Sequence, residues 1–146
     1  NIKPGTRVFF EGPYGTFVAN TSTRGHVVLI GGGVGITPLR ALMEELDPTK
    51  AVDVLFRAST EADLVLRKEL DALANARGAR VHYLVGSRKE HPMSVKYIQK
   101  FVPAFSEADV YVCGPTPLVD AVREAAQKAG VPKDRFHDEA FEFHNV

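Results

Sequence analysis

Residues 31 to 38, GGGVGITP, place four glycines between an apolar run and a helical pattern. Because glycines leave the backbone bare, its N–H groups can approach a ligand closely, and the positive end of the following helix dipole attracts an anion. Neither standard phosphate-binding fingerprint fits, since Ile36 stands where G-x-G-x-x-G needs its last glycine and no Gly-Lys-Ser/Thr closes the loop. The stretch therefore predicts an anion site or, alternatively, only tight packing of a strand against a helix.

A second loop of similar composition lies at residues 113 to 118, CGPTPL, after the apolar run DVYVC. In both loops a Thr-Pro pair precedes a helical pattern. A threonine can cap a helix, and a proline suits the first helical position because the N–H there has no partner in the helix. We therefore predict two helix N-termini, capped by Thr37 and Thr116 and followed by Pro38 and Pro117.

Short β-rich runs alternate with helical patterns along the chain, which predicts a parallel sheet with crossover helices. The fold class expected is α/β, a three-layer architecture in which helices cover both faces of a parallel five-stranded sheet. Ligands of such sheets bind outside the carboxyl ends of the strands, so the two loops are expected to border one crevice. The predicted strands are residues 26–30, 52–56, 80–85, 109–113 and 135–143.

Apolar spacing places the helices between these strands. Leu39, Leu42, Met43 and Leu46 recur at i, i+3, i+4 and i+7, which is one face of a helix. Two of the helices are expected to end at glycines, because a left-handed residue commonly terminates a helix. The later predicted helices are residues 61–74, with Leu66, Leu70 and Leu73 on one side and Gly78 beyond its end, 94–102, and 116–130 with Gly130 as its stop.

Composition excludes several classes of function. Eighteen basic and eighteen acidic side chains cancel, which gives no general electrostatic case for nucleic acid or an anionic membrane surface. One cysteine excludes an internal disulfide, and the five histidines have no ligand spacing, so we expect no metal site. No apolar run is long enough to insert into a membrane. The chain starts at Asn1 and not at a methionine, so we expect a piece of a longer protein.

The segments GGGVGITPLRAL, VGSR, YVCGPTPLVDAV and DEAFEF occur in the order and spacing of a known family. The sequence resembles the NAD(P)-binding half of the ferredoxin–NADP reductase superfamily, and looks most like the flavoprotein dehydrogenase domains of ferric reductases and NADPH oxidases. The resemblance implies that residues 1–17 end a flavin-binding β-barrel domain. Residues 18–25 would form a linker, and 26–146 would form the NAD(P)-binding domain.

The resemblance also implies roles for individual residues. The glycine loop and Thr37 would receive the pyrophosphate and ribose, while Cys113, Gly114 and Pro115 would line the nicotinamide pocket. Strand context alone favours Cys113 as a small buried residue. The catalytic residues implied are Cys113, Glu139 and Phe141. The cofactor-binding residues implied are Gly31, Gly32, Gly33, Gly35, Thr37, Pro38, Arg57, Ser87, Arg88, Tyr97, Gly114, Pro115, Leu118 and Phe143.

The C-terminal segment matches a carboxylate placed two positions before an aromatic ring that covers the flavin. Glu139 and Phe141 fit that pattern, and Phe143 repeats the aromatic one strand period later. A ring stacked on the flavin would shield an apolar face that the nicotinamide must later occupy. The alternative is that both phenylalanines are ordinary core residues.

The choice of nicotinamide cofactor depends on the residues that come after the second and third strands. The second strand ends at Arg57 with no acid to bind an NAD ribose. By resemblance Ser87, Arg88 and Tyr97 would surround the 2′-phosphate of NADP, but the family's lysine falls on Val95, for which Lys96 or Lys89 could substitute. We predict NADP, with NAD possible, and keep a solvated turn as the alternative for residues 87 and 88.

The function implied is transfer of hydride from NADPH or NADH to FAD, which the missing domain mainly holds. Electrons would then leave singly to a haem or iron–sulfur acceptor. A ferric reductase or NADPH oxidase-like membrane protein is the leading parent, with this domain in the cytoplasm. The alternatives are the reductase of a soluble oxygenase or flavohaemoprotein, and a non-catalytic nucleotide-binding regulatory subunit. The 146-residue chain alone is expected to be inactive.

Overall fold

The computed structural model of the protein describes residues 25–64 and 66–141. The predicted barrel segment at 1–17, the predicted linker up to residue 24, and Phe143 lie outside these residues. The strands are β1 (His26–Gly32), β2 (Ala51–Ala58), β3 (Arg80–Val85), β4 (Asp109–Pro115) and β5 (Phe136–Phe141). The α-helices are α1 (Ile36–Glu45), α2 (Arg67–Arg77), α3 (Val95–Phe101) and α4 (Thr116–Ala129). All neighbouring strands are parallel, in the order β3-β2-β1-β4-β5.

Both faces of the central strand β1 are covered by helices. Side chains alternate along a strand, so Val28 and Ile30 pack with residues of α3 and α4, whereas Val27 and Leu29 pack with residues of α1 and α2. All four side chains are at most 1% exposed. The predicted three-layer parallel architecture is therefore confirmed.

The two Thr-Pro helix starts differ from the prediction. A 3-10 turn at Gly33–Gly35 leads directly into α1, so that Gly35 occupies the N-cap position and Thr37 already lies within the first turn. The prediction that Thr37 caps this helix is wrong, and Pro38 is the third helical residue, not the first. Thr116 is likewise the first residue of α4 and not its cap. Both prolines remain in a first turn, where a missing N–H removes no bond within the helix.

The helix predicted from residue 61 is divided in the structure. Glu61–Asp63 form a separate 3-10 turn, and Leu66 has a left-handed φ of 63°, so α2 begins only at Arg67. A left-handed leucine interrupts the helical hydrogen-bond ladder, which apolar periodicity does not reveal. The predicted helix ends are confirmed, because Gly78 and Gly130 follow α2 and α4 with left-handed φ angles of 76° and 87°.

A buried carboxylate joins the beginnings of β1, β2 and β3, at the edge of the sheet opposite the glycine loop. Asp53 is fully buried and accepts hydrogen bonds from Arg80 at 2.8 and 2.7 Å. Its carboxylate oxygens also lie 2.7 Å from His26 Nε2 and 3.4 Å from His82 Nε2. Burial raises the pKa of the Asp53 carboxyl, but hydrogen bonds from His82, Arg80 and His26 outweigh burial and hold that pKa well below its usual range. The cluster fixes the relative position of three strands.

Arg77, at the end of α2, binds the end of α1 through four backbone carbonyls. Its Nη1 donates to Met43 O at 2.9 Å and Leu46 O at 3.1 Å, and its Nη2 donates to Asp47 O at 2.9 Å and Lys50 O at 3.3 Å. An ammonium keeps the charge but lacks the planar fork. We expect Arg77→Lys to lower the free energy of unfolding by about 1–2 kcal/mol, measured by urea denaturation.

The matched control for this prediction is Arg67→Lys. Arg67 makes an exposed ion pair with Glu61 at 3.0 Å, and such pairs contribute at most about 1 kcal/mol. Equal destabilisation by the two lysine substitutions would contradict the role assigned to the Arg77 fork.

Within the described residues, none of the helices combines the length and the apolar character that crossing a bilayer requires.

Candidate nucleotide-binding site

The two predicted loops meet where β1 and β4 end side by side. Gly31 of β1 is in register with Cys113 of β4, and each strand continues into its loop and helix. The N-termini of α1 and α4 consequently open on the same edge of the sheet. The prediction that both loops border one crevice is confirmed by this strand order.

Close packing explains some glycines of the first loop. A Cβ on Gly35 would lie 2.1 Å from the carbonyl oxygen of Cys113, so the start of α1 touches the backbone of β4. A Cβ on Gly31 would lie 2.8 Å from Leu39 Cδ1, and one on Gly32 would lie 2.8 Å from Leu118 Cδ2. The alternative of tight packing therefore holds at Gly35, where the contact is with backbone, whereas the leucine methyl groups near Gly31 and Gly32 can shift.

Gly33 differs from its neighbours. It has a left-handed φ of 59°, is exposed, and has nothing within 4 Å of the place a Cβ would take. The loop therefore presents bare backbone to open space at this residue, as a phosphate cradle requires. Both interpretations of the glycine stretch thus apply, at different residues.

Two cavities at this edge of the sheet share part of their walls. The first, of about 310 Å³, is lined by Gly32, Gly33 and Pro115, with Arg57 and Leu118 on its other side. The second, of about 650 Å³, begins at the same Arg57 and Leu118 and follows one face of α4. The two cavities share Arg57 and Leu118 in their walls, and their linings together extend from the glycine loop to α4; we call the two cavities the groove.

Unpaired positive charge lines this groove. Arg57 is partly buried, and its Nε is inaccessible to solvent and has no hydrogen-bond partner. Burial and, secondarily, the positive charge of Arg88 lower the pKa of the Arg57 guanidinium. Arg88 and Lys96 also line the larger cavity. Among residues 25–64 and 66–141 neither arginine makes an ion pair, which leaves a site prepared for an anion.

The structure separates the three residues expected to surround a 2′-phosphate. Arg88 lines the cavity, whereas Ser87 and Tyr97 are absent from its lining. The Ser87 Oγ accepts from Glu90 N–H at 3.2 Å, and Ser87 N–H donates to Glu90 Oε1 at 2.8 Å, which closes a turn. Ser87 therefore has the arrangement of the turn alternative. Of the two lysines expected to substitute for the family's lysine, Lys96 lines the cavity and Lys89 does not.

Tyr97 lies behind the cavity lining, in contact with His91. Its hydroxyl lies 2.5 Å from His91 Nδ1, and its ring makes an edge contact with Phe101 at 5.3 Å between centroids. His91 itself lines the cavity, although its place in the sequence gave no signal for this. Tyr97, which was expected to contact a nucleotide directly, does not line the cavity.

The expected transfer-site residues lie side by side at the ends of β4 and β5. Cys113 pairs in register with Glu139, and Pro115 with Phe141. Cys113 is fully buried, and burial, with a further contribution from the Glu139 carboxylate, raises the pKa of its thiol. A protonated, enclosed thiol is not a nucleophile, so the predicted role of this residue depends on its position and volume alone.

Other predicted residues lie outside the groove. Phe141 is 4% exposed and belongs to the apolar cluster on the α1 side of the sheet, which is the arrangement of the core alternative. Its contact with a flavin remains a prediction. Thr37 and Pro38 line neither cavity, whereas Gly114 packs against Leu118, whose Cδ2 would lie 2.8 Å from an added Cβ.

A parallel α/β sheet with a bare glycine loop and a cationic groove at its carboxyl edge defines a dinucleotide-binding domain. Residues 29–124 match the model of the oxidoreductase NAD-binding domain family, and the chain belongs to that family. The resemblance to the NAD(P)-binding half of the ferredoxin–NADP reductase superfamily is thereby confirmed.

Similar proteins include the glycine betaine monooxygenase reductase subunit of Pseudomonas aeruginosa, 29% identical over 97% of this chain and 42% of that protein. NADH-cytochrome b5 reductase 1 of Pyricularia oryzae is 31% identical over 97% of this chain and 52% of its own length. The chain thus spans about half the length of the curated relatives it matches. The crystal structure of Malassezia yamatoensis flavohemoglobin with bound FAD and heme aligns with a TM-score of 0.65 at 25% identity, covering 84% of this chain and 34% of that one.

Proposed function

We propose that this chain is the nucleotide-binding part of a flavin-dependent reductase that takes its electrons from NADPH. The parent we propose is the reductase of an oxygenase or a flavohaemoprotein, with a haem or iron–sulfur acceptor. One relative is named as a monooxygenase reductase subunit and one structure as a flavohemoglobin, the other relative is named as a cytochrome b5 reductase, and none of the three is named as a ferric reductase or an NADPH oxidase. The reductase of an oxygenase or a flavohaemoprotein is therefore preferred as the parent to a ferric reductase or NADPH oxidase-like membrane protein.

The observation that carries the cofactor proposal is that the two neighbouring arginines, Arg57 and Arg88, make no ion pair with any described residue. Two neighbouring guanidinium groups that make no ion pair repel each other, which is unfavourable in the free protein. Arg57 is also partly buried and has an unpartnered Nε. A phosphate dianion in the cavity would supply the counter-charge that both guanidinium groups lack. One relative is named as an NADH reductase, so relatives alone do not favour NADPH. The proposal of NADPH for this chain depends on the two arginines.

The groove fits a dinucleotide in two parts. The smaller cavity, bordered by the exposed Gly33 and by two helix N-termini, suits the pyrophosphate. The larger cavity suits the adenosine, whose ribose 2′-phosphate would lie near Arg57, Arg88 and Lys96. In this arrangement the nicotinamide would lie on the other side of the pyrophosphate, toward the ends of β4 and β5.

When bound, the reduced nicotinamide would supply a hydride to a flavin held mainly by the preceding domain. The residues of this chain would bind and orient the nucleotide. Cys113 is fully buried and lines neither cavity, so it would stand behind the nicotinamide end as a small, uncharged residue whose thiol keeps its proton. The Glu139 carboxylate, in register beside it, would be a polar group at that end.

The test is a calorimetric titration of the chain with 2′,5′-ADP and with 5′-AMP, which differ by the phosphate in question and need no flavin. We expect 2′,5′-ADP to bind at least tenfold more tightly, which is about 1.4 kcal/mol. The difference should shrink as salt is added, since exposed charges are screened. Equal binding of the two nucleotides would refute the NADPH proposal and favour NADH.

A further inference from the structure

The turn between β3 and α3 that carries Arg88 is fastened at several points. Gly86, with a left-handed φ of 141°, donates its N–H to Ala58 O at 2.9 Å. Glu90 N–H and His91 N–H both donate to Ser87 O, at 3.1 and 3.0 Å. The backbone on either side of Arg88 is therefore held, while the Arg88 side chain itself is exposed at the cavity.

His91 connects this turn to the strand before it and to the helix after it. Its Nε2 lies 2.7 Å from Val85 O, and its Nδ1 lies 2.5 Å from the Tyr97 hydroxyl. A carbonyl oxygen only accepts hydrogen bonds, so Nε2 carries a proton and, in the neutral ring, Nδ1 accepts from the tyrosine. Both ring nitrogens are thus engaged and neither is free for a ligand.

Several contacts restrict the position of Tyr97, so its hydroxyl is fixed for the hydrogen bond to His91. Its backbone N–H donates to Ser94 Oγ at 3.2 Å in the first turn of α3. Its ring contacts Phe101 edge-on, and Lys100 Nζ lies 5.6 Å from the ring centroid. The hydroxyl therefore presents a donor at a defined place beside the cavity.

We propose that His91 and Tyr97 are positioning residues that hold the Arg88 turn against the groove and so set the preference for a 2′-phosphorylated adenine nucleotide. The inference rests on the proposed function for the identity of the ligand. It assigns Tyr97 a role through His91, in place of contact with the nucleotide.

The experiment compares Tyr97→Phe with the unmodified chain in titrations with 2′,5′-ADP and 5′-AMP. The substitution removes only the hydroxyl and keeps the ring on Phe101. We expect 2′,5′-ADP to bind about fivefold more weakly, which is the effect of losing one hydrogen bond. The affinity for 5′-AMP should change less than about twofold by the same reasoning. His91→Phe should give the same split, and His91→Gln, which keeps a donor for Val85 O, should restore part of the preference.

A matched control is Tyr83→Phe. Tyr83 also donates its hydroxyl to a neighbour, Asp71 Oδ1 at 2.6 Å, but it lines neither groove cavity. This variant should lose stability without changing the ratio of the two affinities. Amide hydrogen exchange supplies a second readout, since the N–H groups of Glu90 and His91 should exchange faster in Tyr97→Phe and not in Tyr83→Phe.

The outcomes separate this inference from the proposed function. A preference for 2′,5′-ADP that Arg88→Gln removes and Tyr97→Phe leaves intact would overturn the inference alone. Equal weakening of both nucleotides by Tyr97→Phe would also overturn it, because the pair would then support the fold in general. Absence of any preference in the unmodified chain would overturn both.

Discussion

Replacing Gly35 with alanine is expected to destabilise the domain by more than about 3 kcal/mol, enough to prevent stable folding of a marginal chain. The new Cβ would lie 2.1 Å from the carbonyl oxygen of Cys113 and 2.6 Å from its carbonyl carbon. Both are backbone atoms of β4, so no side-chain movement can relieve the overlap. The start of α1 would have to move away from the central strands that it joins.

Gly33→Ala is the matched control for this prediction. Gly35 has an ordinary helical φ of −62°, so its need for glycine is purely steric. Gly33 needs glycine for its backbone conformation and not for space, since its φ is 59° and the space around it is open. Alanine there should lower the free energy of unfolding by about 1–2 kcal/mol. Urea denaturation and the soluble yield of each variant measure the difference. Similar unfolding midpoints for the two variants would contradict the close contact between Gly35 and Cys113.

Replacing Arg57 with leucine is expected to weaken binding of 2′,5′-ADP by about 30-fold to 100-fold, the effect of losing charge-assisted hydrogen bonds to a phosphate. The same substitution should stabilise the free chain, because it removes a partly buried guanidinium whose Nε has no partner and which Arg88 repels. Opposite signs for stability and binding are typical of a residue kept for function. Urea denaturation without ligand and calorimetric titration measure the two effects.

The control for the arginine prediction is Arg67→Leu. Arg67 pairs with Glu61 and its guanidinium stacks on the ring of Tyr83 at 4.3 Å, away from the groove. Its replacement should leave both nucleotide affinities unchanged and give no gain in stability. If Arg57→Leu weakened 5′-AMP as much as 2′,5′-ADP, Arg57 would bind a phosphate other than the one on the 2′ position.

The sequence alone determined the features that depend on neighbouring residues. Apolar periodicity and branched runs located five strands and four helices, and the glycines at 78 and 130 marked two helix ends. These features could be predicted because hydrogen-bonded turns and caps involve residues within a few positions of one another. The motif order also placed the two glycine-containing loops on one edge of the sheet, which the structure confirms.

Tertiary structure decided which side chains meet, because that depends on strand order and register. β2 lies between β1 and β3 in the sheet, which brings Arg57 and Arg88 to one cavity although they are distant in sequence. Ser87, adjacent to Arg88 in sequence, is held in a turn away from that cavity. The family resemblance implied a shared role for these two residues, but the turn directs their neighbouring side chains to different places.

The glycine stretch shows the same division. Its composition indicated bare backbone, yet only the approach of β4 distinguishes two of its glycines. A carbonyl oxygen leaves no room for a side chain at Gly35, whereas Gly33 faces open space. Local chemistry therefore located the site along the chain. The packing of distant strands determined what each residue in it does, because steric exclusion and charge proximity arise only between segments that the fold brings together.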